Sequence, residues 1–563
     1  MRPLPTAVLL LAIAAVFWPA LGGEYLYDDT LLIAKNAAVA QFDLRALLTA
    51  PLFGNDVPYW RPLTSLTFAI GHHLGGATGI HAIALLLHAA NTLLVFALAR
   101  RWLVAPTAGS GAAFGAALLF ALHPVQAEAV AWCAAINDPL WVFWALLAVR
   151  AALRWRDGDT TKVPWAVATT CLLALLSKEN ALAALPIVWL VLRCEAPRPD
   201  WRRLLLTLGA ALLAWLLLRM SVFGDWRAGL LGGRPGPDLP PSQVFVPFDL
   251  LAQHLRLLLV PTGLTPFHDT AGFPFGRALV SLVACVLPAA LLFANLRRAP
   301  VWVRVGATLL VLPLLPTLLR WRALGSHPIG ERYLYLCVFG AALLLAGATT
   351  RLGRRPQLAL LLTLGAACGW ITSAQLGVWQ GQAQLVAHAL QLAPHDAKVH
   401  VMAGALALRA AQTGDAAALA TAQQHYATAE RIAATHDLSA NRTLGEARLG
   451  LAWCQAIAQA GHGRAAGAML VEAFQRAVDT DRENAAAWIG LGVAHGMHEN
   501  PAAAEQALRK GLELDPGNSE GWCNLGFLQL RTGRRDDARA SLQRALQCDP
   551  GNARAAQLLA QAR

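Results

Sequence analysis

Residues 81–103 read HAIALLLHAANTLLVFALARRWL. The stretch is apolar over the length of about 20 residues that a helix needs to cross the hydrocarbon layer of a bilayer, and a pair of arginines lies near its end. Similar stretches recur before residue 378, at about 5–22, 108–122, 138–155, 163–177, 180–195, 203–221, 277–296, 301–319, 333–350 and 356–376. Together they predict an all-α, polytopic membrane domain of about eleven spans over residues 1–378.

The composition also favours a membrane location. Hydrophobic residues make up 56% of the 563 residues and charged residues 14%, whereas soluble domains contain about 25% charged residues. The net charge of +12 arises wholly before Gln380, because the residues from Gln380 onward contain 17 basic and 17 acidic side chains. The basic excess is therefore a matter of membrane topology, and nucleic acid is not predicted as a partner.

The basic residues lie in alternate loops. Loops that are cytoplasmic when the N-terminus is cytoplasmic carry arginine, as at Arg100 and Arg354, whereas the loop 123–137 carries neither Lys nor Arg. Because positive residues accumulate on the cytoplasmic side, this pattern predicts a cytoplasmic N-terminus. An odd number of spans then places the C-terminal domain outside the cytoplasm. The excess of arginine over lysine, 41 to 5, is typical of a GC-rich bacterial genome, so the expected location is a bacterial inner membrane with a periplasmic C-terminal domain. A secretory signal peptide is the alternative interpretation of the first apolar run.

After residue 378 the chain becomes rich in alanine and interspersed charge, and a repeat begins. Seven positions recur with the same or a similar residue 34 residues later: Trp488, Leu491, Gly492, Ala504, Leu508, Gly511 and Pro516 correspond to Trp522, Leu525, Gly526, Ala538, Leu542, Ala545 and Pro550. This period and this alternation of small and large residues are typical of tetratricopeptide repeats. We therefore predict a tetratricopeptide-repeat α-solenoid over residues 379–563, closed by a capping helix over 553–563.

Ionisable side chains cluster at the predicted outer ends of the spans. Placing ionisable side chains beside hydrocarbon costs free energy, so they indicate a function. Their shared position at one membrane interface suits a lipid-linked substrate whose charged head lies at the level of the lipid headgroups. The candidate residues are Asp28, Asp29, Arg61, His123, Glu128, Asp138, Lys178, Glu179, Glu331 and Arg332.

The adjacent Asp28 and Asp29 are the candidates for a general base, since neighbouring carboxylates raise one another's pKa. Arg61, Lys178 or Arg332 could neutralise a phosphate leaving group. Each residue also has a structural interpretation. The aspartates could lie in a solvated loop, Arg332 could pair with the adjacent Glu331, and Lys178 could be an interfacial anchor.

These residues lie within a series of short motifs that resembles, in order, the transmembrane-and-TPR-containing O-mannosyltransferase family and its bacterial relatives. The motifs are Tyr27-Asp28-Asp29 with Asn36, Tyr59-Trp60-Arg61-Pro62-Leu63-Thr64, His81, His88-Ala89-Ala90-Asn91, Phe120-Ala121-Leu122-His123-Pro124, Glu128-Ala129-Val130-Ala131-Trp132, Leu176-Ser177-Lys178-Glu179 and Glu331-Arg332-Tyr333-Leu334-Tyr335. The resemblance covers nearly the whole chain. One departure is Ala135-Ile136-Asn137-Asp138, because family members often have Gly-Arg-X-Asp there and the arginine is missing.

The resemblance implies the GT-C glycosyltransferase fold, transfer of a mannose-like hexose from a polyprenyl-phosphate donor, and inversion at the anomeric carbon. It also implies an essential acid in the first outer loop, which is Asp28 or Asp29 here. The other candidate residues are then expected to bind the donor or its phosphate: Arg61, His123, Glu128, Asp138, Lys178, Glu179, Glu331 and Arg332.

The expected partners are the lipid-linked sugar donor and a protein or peptide acceptor held by the repeats. No cofactor or metal site is predicted, although the use of a divalent ion stays open, because two adjacent aspartates alone form a poor octahedral site. Two other functions fit the same domains. One is a membrane-anchored repeat scaffold without catalysis, and the other is a transporter of lipid-linked sugars or a ligase-like factor.

The basic loops predict that the two ends of the chain lie on opposite sides of the membrane. Reporter fusions placed after Arg101 and after Arg563 should report the cytoplasm and the periplasm, respectively. The same side for both fusions would contradict the topology.

Overall fold

The computed structural model describes residues 3–52, 59–103, 111–195, 200–225, 245–268, 276–277, 279–283, 298–324, 327–435, 440–459 and 463–562. The chain divides into two compact units, Met1–His388 and Ala389–Arg563. The division falls within the Gln382–Leu392 helix, after the boundary at residue 378 that the composition predicts.

The described part of the first unit is helical. Its α-helices are Pro3–Phe17, Ala37–Ala40, Leu44–Thr49, Pro62–Leu103, Gly111–Leu122, Gln126–Ala131, Asn137–Asp157, Trp165–Ser177, Ala184–Arg193, Trp201–Phe223, Val246–Leu259, Val301–Val311, Leu315–Leu319, Cys337–Ala348, Arg354–Leu376 and Gln382–Leu392.

Six helical segments among the described residues are long and apolar enough to cross a membrane: Leu4–Gly22, Pro62–Leu103, Cys133–Asp157, Trp201–Phe223, Val301–Leu319 and Arg354–Trp379. Shorter apolar helices lie at three other predicted spans, Gly111–Leu122, Trp165–Ser177 and Cys337–Arg351. The predicted span at 277–296 lies mostly outside the described residues. The prediction of an all-α membrane fold is confirmed, while the number of spans stays a prediction.

The Pro62–Leu103 helix differs from its predicted span, which begins at residue 81. It contains 42 residues and has a kink at Gly75 and Gly76, where Gly76 has a φ of 63°. This left-handed conformation costs glycine little, and it interrupts the regular helical backbone. The residues before the kink form a separate helical segment, which the apolar pattern alone does not reveal.

Glycines allow two helices of the membrane unit to approach closely. A Cβ atom built on Gly340 would lie 2.5 Å from the backbone nitrogen of Leu310 and 2.7 Å from the carbonyl oxygen of Gly306. The Val301–Val311 and Cys337–Ala348 helices are therefore in backbone contact at this point. Small residues at helix interfaces are the usual means of such packing in membranes, where apolar burial gives helices little drive to associate.

An ionic network joins the predicted cytoplasmic ends of several helices. Arg101 donates to Asp157 at 2.6 Å and to Glu195 at 2.8 Å. Arg156 bonds the same two carboxylates, at 2.7 and 2.6 Å, and the indole of Trp102 donates to Glu195. The network links residues far apart in sequence at the predicted inner ends of three helices.

The second unit consists of the described helices Ala397–Gln412, Ala416–Thr435, Ala440–Ala458, Gly463–Thr480, Ala485–Met497, Pro501–Leu514, Ser519–Arg531, Arg535–Cys548 and Ala553–Gln561. The 34-residue repeat extends to individual contacts. The indoles of Trp488 and Trp522 each donate, over 2.9 Å, to a carbonyl six residues earlier. A Cβ on either Gly492 or Gly526 would lie 2.6 Å from the Cγ of the equivalent leucine. The predicted tetratricopeptide-repeat solenoid is confirmed.

We expect Gly340→Ala to lower the melting temperature of the detergent-solubilised protein, because the new methyl group meets backbone atoms of the neighbouring helix. Overpacking of this kind costs about 1–3 kcal/mol. Gly209→Ala is the matched control, since a Cβ there meets nothing within 4 Å. Equal melting temperatures for the two variants would contradict the close backbone contact.

Candidate active site

The structure assigns different environments to Asp28 and Asp29. Asp29 is fully buried, and its carboxylate accepts the backbone N–H of Leu26 at 2.9 Å and of Ala134 at 2.7 Å. Burial raises the pKa of Asp29 to about 8, although both backbone hydrogen bonds favour the ionised form. Asp28 is half-buried. Asp29 thus joins the predicted first outer loop to the segment before the Asn137–Asp157 helix, and Asp28 is the more accessible carboxylate.

Glu179 is a buried carboxylate surrounded by arginines. Its Oε2 accepts from Arg61 Nε at 2.8 Å, and its Oε1 accepts from the backbone N–H of Trp60 at 3.3 Å and lies 3.7 Å from Arg219 Nη1. Burial alone would raise the pKa of Glu179, but the guanidinium groups of Arg61, Arg320 and Arg219 hold it below its usual range. Two guanidinium groups therefore lie within 4 Å of this carboxylate, and Arg320 acts on it from farther away.

Lys178 forms a second buried ion pair. Its Nζ lies 2.6 Å from each carboxylate oxygen of Asp138, and the two side chains are nearly inaccessible. Burial lowers the pKa of Lys178 to about 8, against the attraction of Asp138. Lys178 therefore points into the protein, which is not the position of an interfacial anchor.

Glu331 and Arg332 are each paired with a different residue. The sequence allowed an ion pair between these two neighbours, and this pair is not formed among the described residues. Arg332 forms an ion pair with Glu128, which also accepts the Arg332 backbone N–H at 2.8 Å. Glu331 accepts the backbone N–H of Thr265 at 2.9 Å and lies 2.7 Å from His268 Nε2. Burial raises the pKa of Glu331 to about 7.

Aromatic rings connect these pairs into one cluster. The Tyr333 ring lies 5.3 Å from Lys178 Nζ and 4.7 Å from the Arg332 guanidinium carbon. The same guanidinium lies 5.1 Å from the Trp132 ring, and the Tyr27 ring is 6.2 Å from that tryptophan. The segment that carries Asp28 is therefore adjacent to the Arg332 side of the cluster.

His123 is placed at the same end of the helices but is bonded within the protein. Its Nε2 lies 3.0 Å from the carbonyl oxygen of Leu258, and its Nδ1 accepts from the backbone N–H of Val125 at 3.4 Å. Burial lowers the pKa of His123 to about 4. The ring is neutral at physiological pH and both nitrogens are engaged, so this geometry offers a phosphate no donor from His123.

Sequence reasoning missed Arg219 and Arg320. Arg219 is fully buried near the end of the long apolar Trp201–Phe223 helix, and its guanidinium lies 5.0 Å from the Trp215 ring. The sequence does contain a signal for Arg219, which lies inside an apolar predicted span. Placing an arginine in hydrocarbon costs free energy, so such a residue indicates a functional site by default. Arg320 follows the Leu315–Leu319 helix, and its guanidinium lies 5.7 Å from the Tyr59 ring.

The cluster is rich in positive charge. Its five cations, Arg61, Lys178, Arg219, Arg320 and Arg332, face four carboxylates, Glu128, Asp138, Glu179 and Glu331. The pKa of one carboxylate, Glu331, lies near neutrality. An anion is the ligand that such an arrangement favours. No group of three or more side chains that could hold a metal ion comes together in the part of the chain that the structure describes.

An apolar groove lies between the Ala184–Arg193 and Trp201–Phe223 helices, and the second of these helices also carries Arg219. Its volume is about 280 Å³, and it is lined by Leu185, Pro186, Trp189, Leu205, Leu208, Gly209 and Leu212. A Cβ on Gly209 would meet nothing within 4 Å. Gly209 and Arg219 are separated by about 15 Å along the helix, so the groove and the arginine lie at different positions on the same helix.

Comparison with known proteins gives matches for both units. Residues 497–562 match the model of the tetratricopeptide repeat. The chain is 26% identical to protein O-mannosyl-transferase F38B6.6 of Caenorhabditis elegans over 409 residues, and 26% identical to human protein O-mannosyl-transferase TMTC4 over 460 residues. Each match covers 68% of this chain, and the chain spans 57% and 61% of these relatives. The resemblance predicted from the motifs is confirmed.

Among solved structures, ArnT from Cupriavidus metallidurans bound to undecaprenyl phosphate has a TM-score of 0.36 and 15% identity, over 92% of this chain and 80% of that chain.

Proposed function

We propose that the chain is an inverting GT-C glycosyltransferase of a bacterial inner membrane. It transfers a mannose-like hexose from a polyprenyl-phosphate donor to a hydroxyl group of a protein or another acceptor on the periplasmic side. The observation that carries this proposal is the group of arginines near Glu179. Arg61 and Arg219 lie within 4 Å of its carboxylate, and the guanidinium groups of Arg61 and Arg320 both lie over the Tyr59 ring. The similarity to O-mannosyl-transferases supports the reaction type.

The cluster suits the leaving group of this reaction. The acceptor oxygen forms a bond to C1 of the sugar, the bond from C1 to the phosphate oxygen breaks, and the bonding electrons leave with the polyprenyl phosphate. Negative charge therefore grows on the phosphate in the transition state. Guanidinium groups that are already held in place by Glu179 and by aromatic rings stabilise that charge without reorganisation.

Asp28 is the base that accepts the proton of the acceptor hydroxyl. Both oxygens of Asp29 already accept backbone N–H groups, and with a pKa near 8 this carboxyl is mostly protonated at neutral pH. Asp28 is more exposed, and the adjacent Tyr27 lies beside Trp132 in the cluster. Asp29 then acts as a positioning residue that holds Asp28 in place.

The apolar groove suits the polyprenyl chain of the donor. A polyprenyl phosphate has an anionic head and a long hydrocarbon tail, and the Trp201–Phe223 helix presents an arginine near one end and the apolar groove along its length. Leucines and Trp189 offer the tail contact along the groove, and Gly209 leaves the space open. Head and tail are thus accommodated by one helix.

We expect Asp28→Asn to lower sugar transfer by at least about 100-fold, because general-base catalysis contributes roughly 10²–10⁴ in rate. The assay uses full-length protein in lipid nanodiscs, undecaprenyl-phosphate [14C]mannose, and an extract of periplasmic proteins as acceptor. Donor binding by Asp28→Asn should be retained. Asp29→Asn should lower the melting temperature, because one of its two backbone hydrogen bonds is lost. Undiminished transfer by Asp28→Asn would show that another group is the base, and no transfer by the wild-type protein from any hexose donor would refute the proposed reaction.

We expect Gly209→Trp to raise the KM for the undecaprenyl donor about tenfold, because the indole fills the groove and removes apolar contact with the tail. The KM for the acceptor should not change. Leu217→Trp is the matched control, since Leu217 is 57% exposed on the same helix and does not line the groove. Equal donor KM values for both variants and the wild type would place the tail elsewhere.

A further inference from the structure

Two histidines of the second unit lie against each other across two helices. His400 belongs to the Ala397–Gln412 helix, and His425 belongs to the Ala416–Thr435 helix that follows it. Their Nδ1 atoms are 3.0 Å apart, and their ring centroids are 5.2 Å apart with the planes tilted by 41°. Both residues are half-buried. The pair therefore brings two ring nitrogens together on side chains that solvent partly reaches.

The hydrogen bonds of the pair determine where its protons lie. His400 Nε2 is 3.0 Å from the carbonyl oxygen of Pro394. Because a carbonyl oxygen only accepts, Nε2 of His400 carries the proton, and Nδ1 of the neutral ring carries a lone pair. The Nδ1–H of His425 then donates to that lone pair. A metal-binding histidine usually donates its other N–H to a backbone carbonyl in this way, which directs its lone pair to the ion.

The charge of the second histidine also suits a metal ion. Burial and the neighbouring His400 both lower the pKa of His425. The lower pKa favours the neutral imidazole, which is the form that coordinates a metal. Both rings of the pair are therefore available as neutral ligands at physiological pH.

Close packing beside the pair sets the spacing of the two helices. Tyr426 follows His425 and is 4% exposed. A Cβ built on Gly404, one helical turn after His400, would lie 3.0 Å from the Tyr426 ring, and a Cβ on Gly450 would lie 2.2 Å from one of its carbon atoms. The ring is therefore enclosed between two glycines. Helix packing, and not only the hydrogen bond between the rings, holds the two histidines at their separation.

The separation of the two nitrogens indicates the geometry that an ion would adopt. For metal–nitrogen bonds of about 2.05 Å, two ligands at right angles lie about 2.9 Å apart, and two tetrahedral ligands lie about 3.3 Å apart. The 3.0 Å between the Nδ1 atoms of His400 and His425 is closer to the first value. Right-angled nitrogen ligands are typical of Cu²⁺ and Ni²⁺, whereas Zn²⁺ is usually tetrahedral.

We propose that His400 and His425 bind a Cu²⁺ or Ni²⁺ ion through their Nδ1 atoms. Water completes the coordination shell, since no group of three or more His, Cys, Asp or Glu side chains gathers within the described ranges. In the bound state the proton of His425 lies on Nε2, so both Nδ1 lone pairs face the ion and neither ring changes its charge. The ion links two helices of the second unit, and the site holds or fails independently of the glycosyl-transfer reaction.

The first test counts the imidazole rings on the ion. Full-length protein without a polyhistidine tag is placed in nanodiscs with one equivalent of Cu²⁺, and electron spin-echo envelope modulation reports the number of coordinated imidazoles. We expect two in the wild-type protein and fewer in His400→Gln and in His425→Gln. His498→Gln is the matched control, because His498 follows the Ala485–Met497 helix and lies outside both helices of the site. It should keep two imidazoles.

The wild-type spectrum decides the test even if a variant does not fold. Fewer than two imidazoles on the ion in the wild-type protein would overturn the proposed pair. Two imidazoles in both His400→Gln and His425→Gln would show that the ion is bound elsewhere, and this result would also overturn the site.

The second test measures affinities for Ni²⁺ and Zn²⁺ by isothermal titration calorimetry on the same samples. We expect Ni²⁺ to bind the wild-type protein more tightly than Zn²⁺, because the nitrogens lie at the separation of right-angled ligands. His400→Gln and His425→Gln should each weaken Ni²⁺ binding at least about tenfold, because one of the two protein ligands is lost. Tighter binding of Zn²⁺ than of Ni²⁺ would overturn the right-angled geometry.

Discussion

The burial of charge at one end of the helical membrane unit is the constraint on which its functional region depends. A charged side chain in an apolar environment is costly unless it is paired and hydrogen-bonded. Lys178, Glu179 and Glu331 are almost inaccessible, and each finds its partner on another segment of the chain. These long-range pairs hold the ends of the helices and the intervening short helices in one arrangement.

The carboxylates of the cluster differ in the number of cations near them, and this difference determines which kind of ligand the cluster favours. Lys178 and Asp138 balance one another, as do Arg332 and Glu128. Glu179, in contrast, has two guanidinium groups within 4 Å, and a third, that of Arg320, acts on it electrostatically. Guanidinium groups gathered in a partly desolvated position attract an anionic group more strongly than the same groups would in water. The interior pairs therefore join separate segments of the chain, and the arginine group gives the cluster its positive character.

The two units use glycine for the same physical purpose in different surroundings. In the membrane unit Gly340 brings two helices into backbone contact, where apolar burial gives helices little reason to associate. In the repeat unit Gly492 and Gly526 leave room for a leucine of the neighbouring helix, and the hydrophobic effect stabilises this packing. Sequence reveals the second case because the contact recurs every 34 residues. It does not single out Gly340, because no sequence period marks that contact.

The amino-acid sequence by itself determined the all-α membrane fold, the repeat solenoid and the set of ionisable residues in the motifs, because apolar length, periodicity and charge placement are local properties of the chain. Only the tertiary structure decided which of these residues meet. It separated Asp28 from its buried neighbour Asp29, gave Glu331 and Arg332 different partners, engaged both nitrogens of His123, and added Arg219 and Arg320 to the cluster. The physical reason is that an ion pair or a backbone hydrogen bond depends on distances of a few ångströms between segments far apart in sequence, which no local pattern specifies.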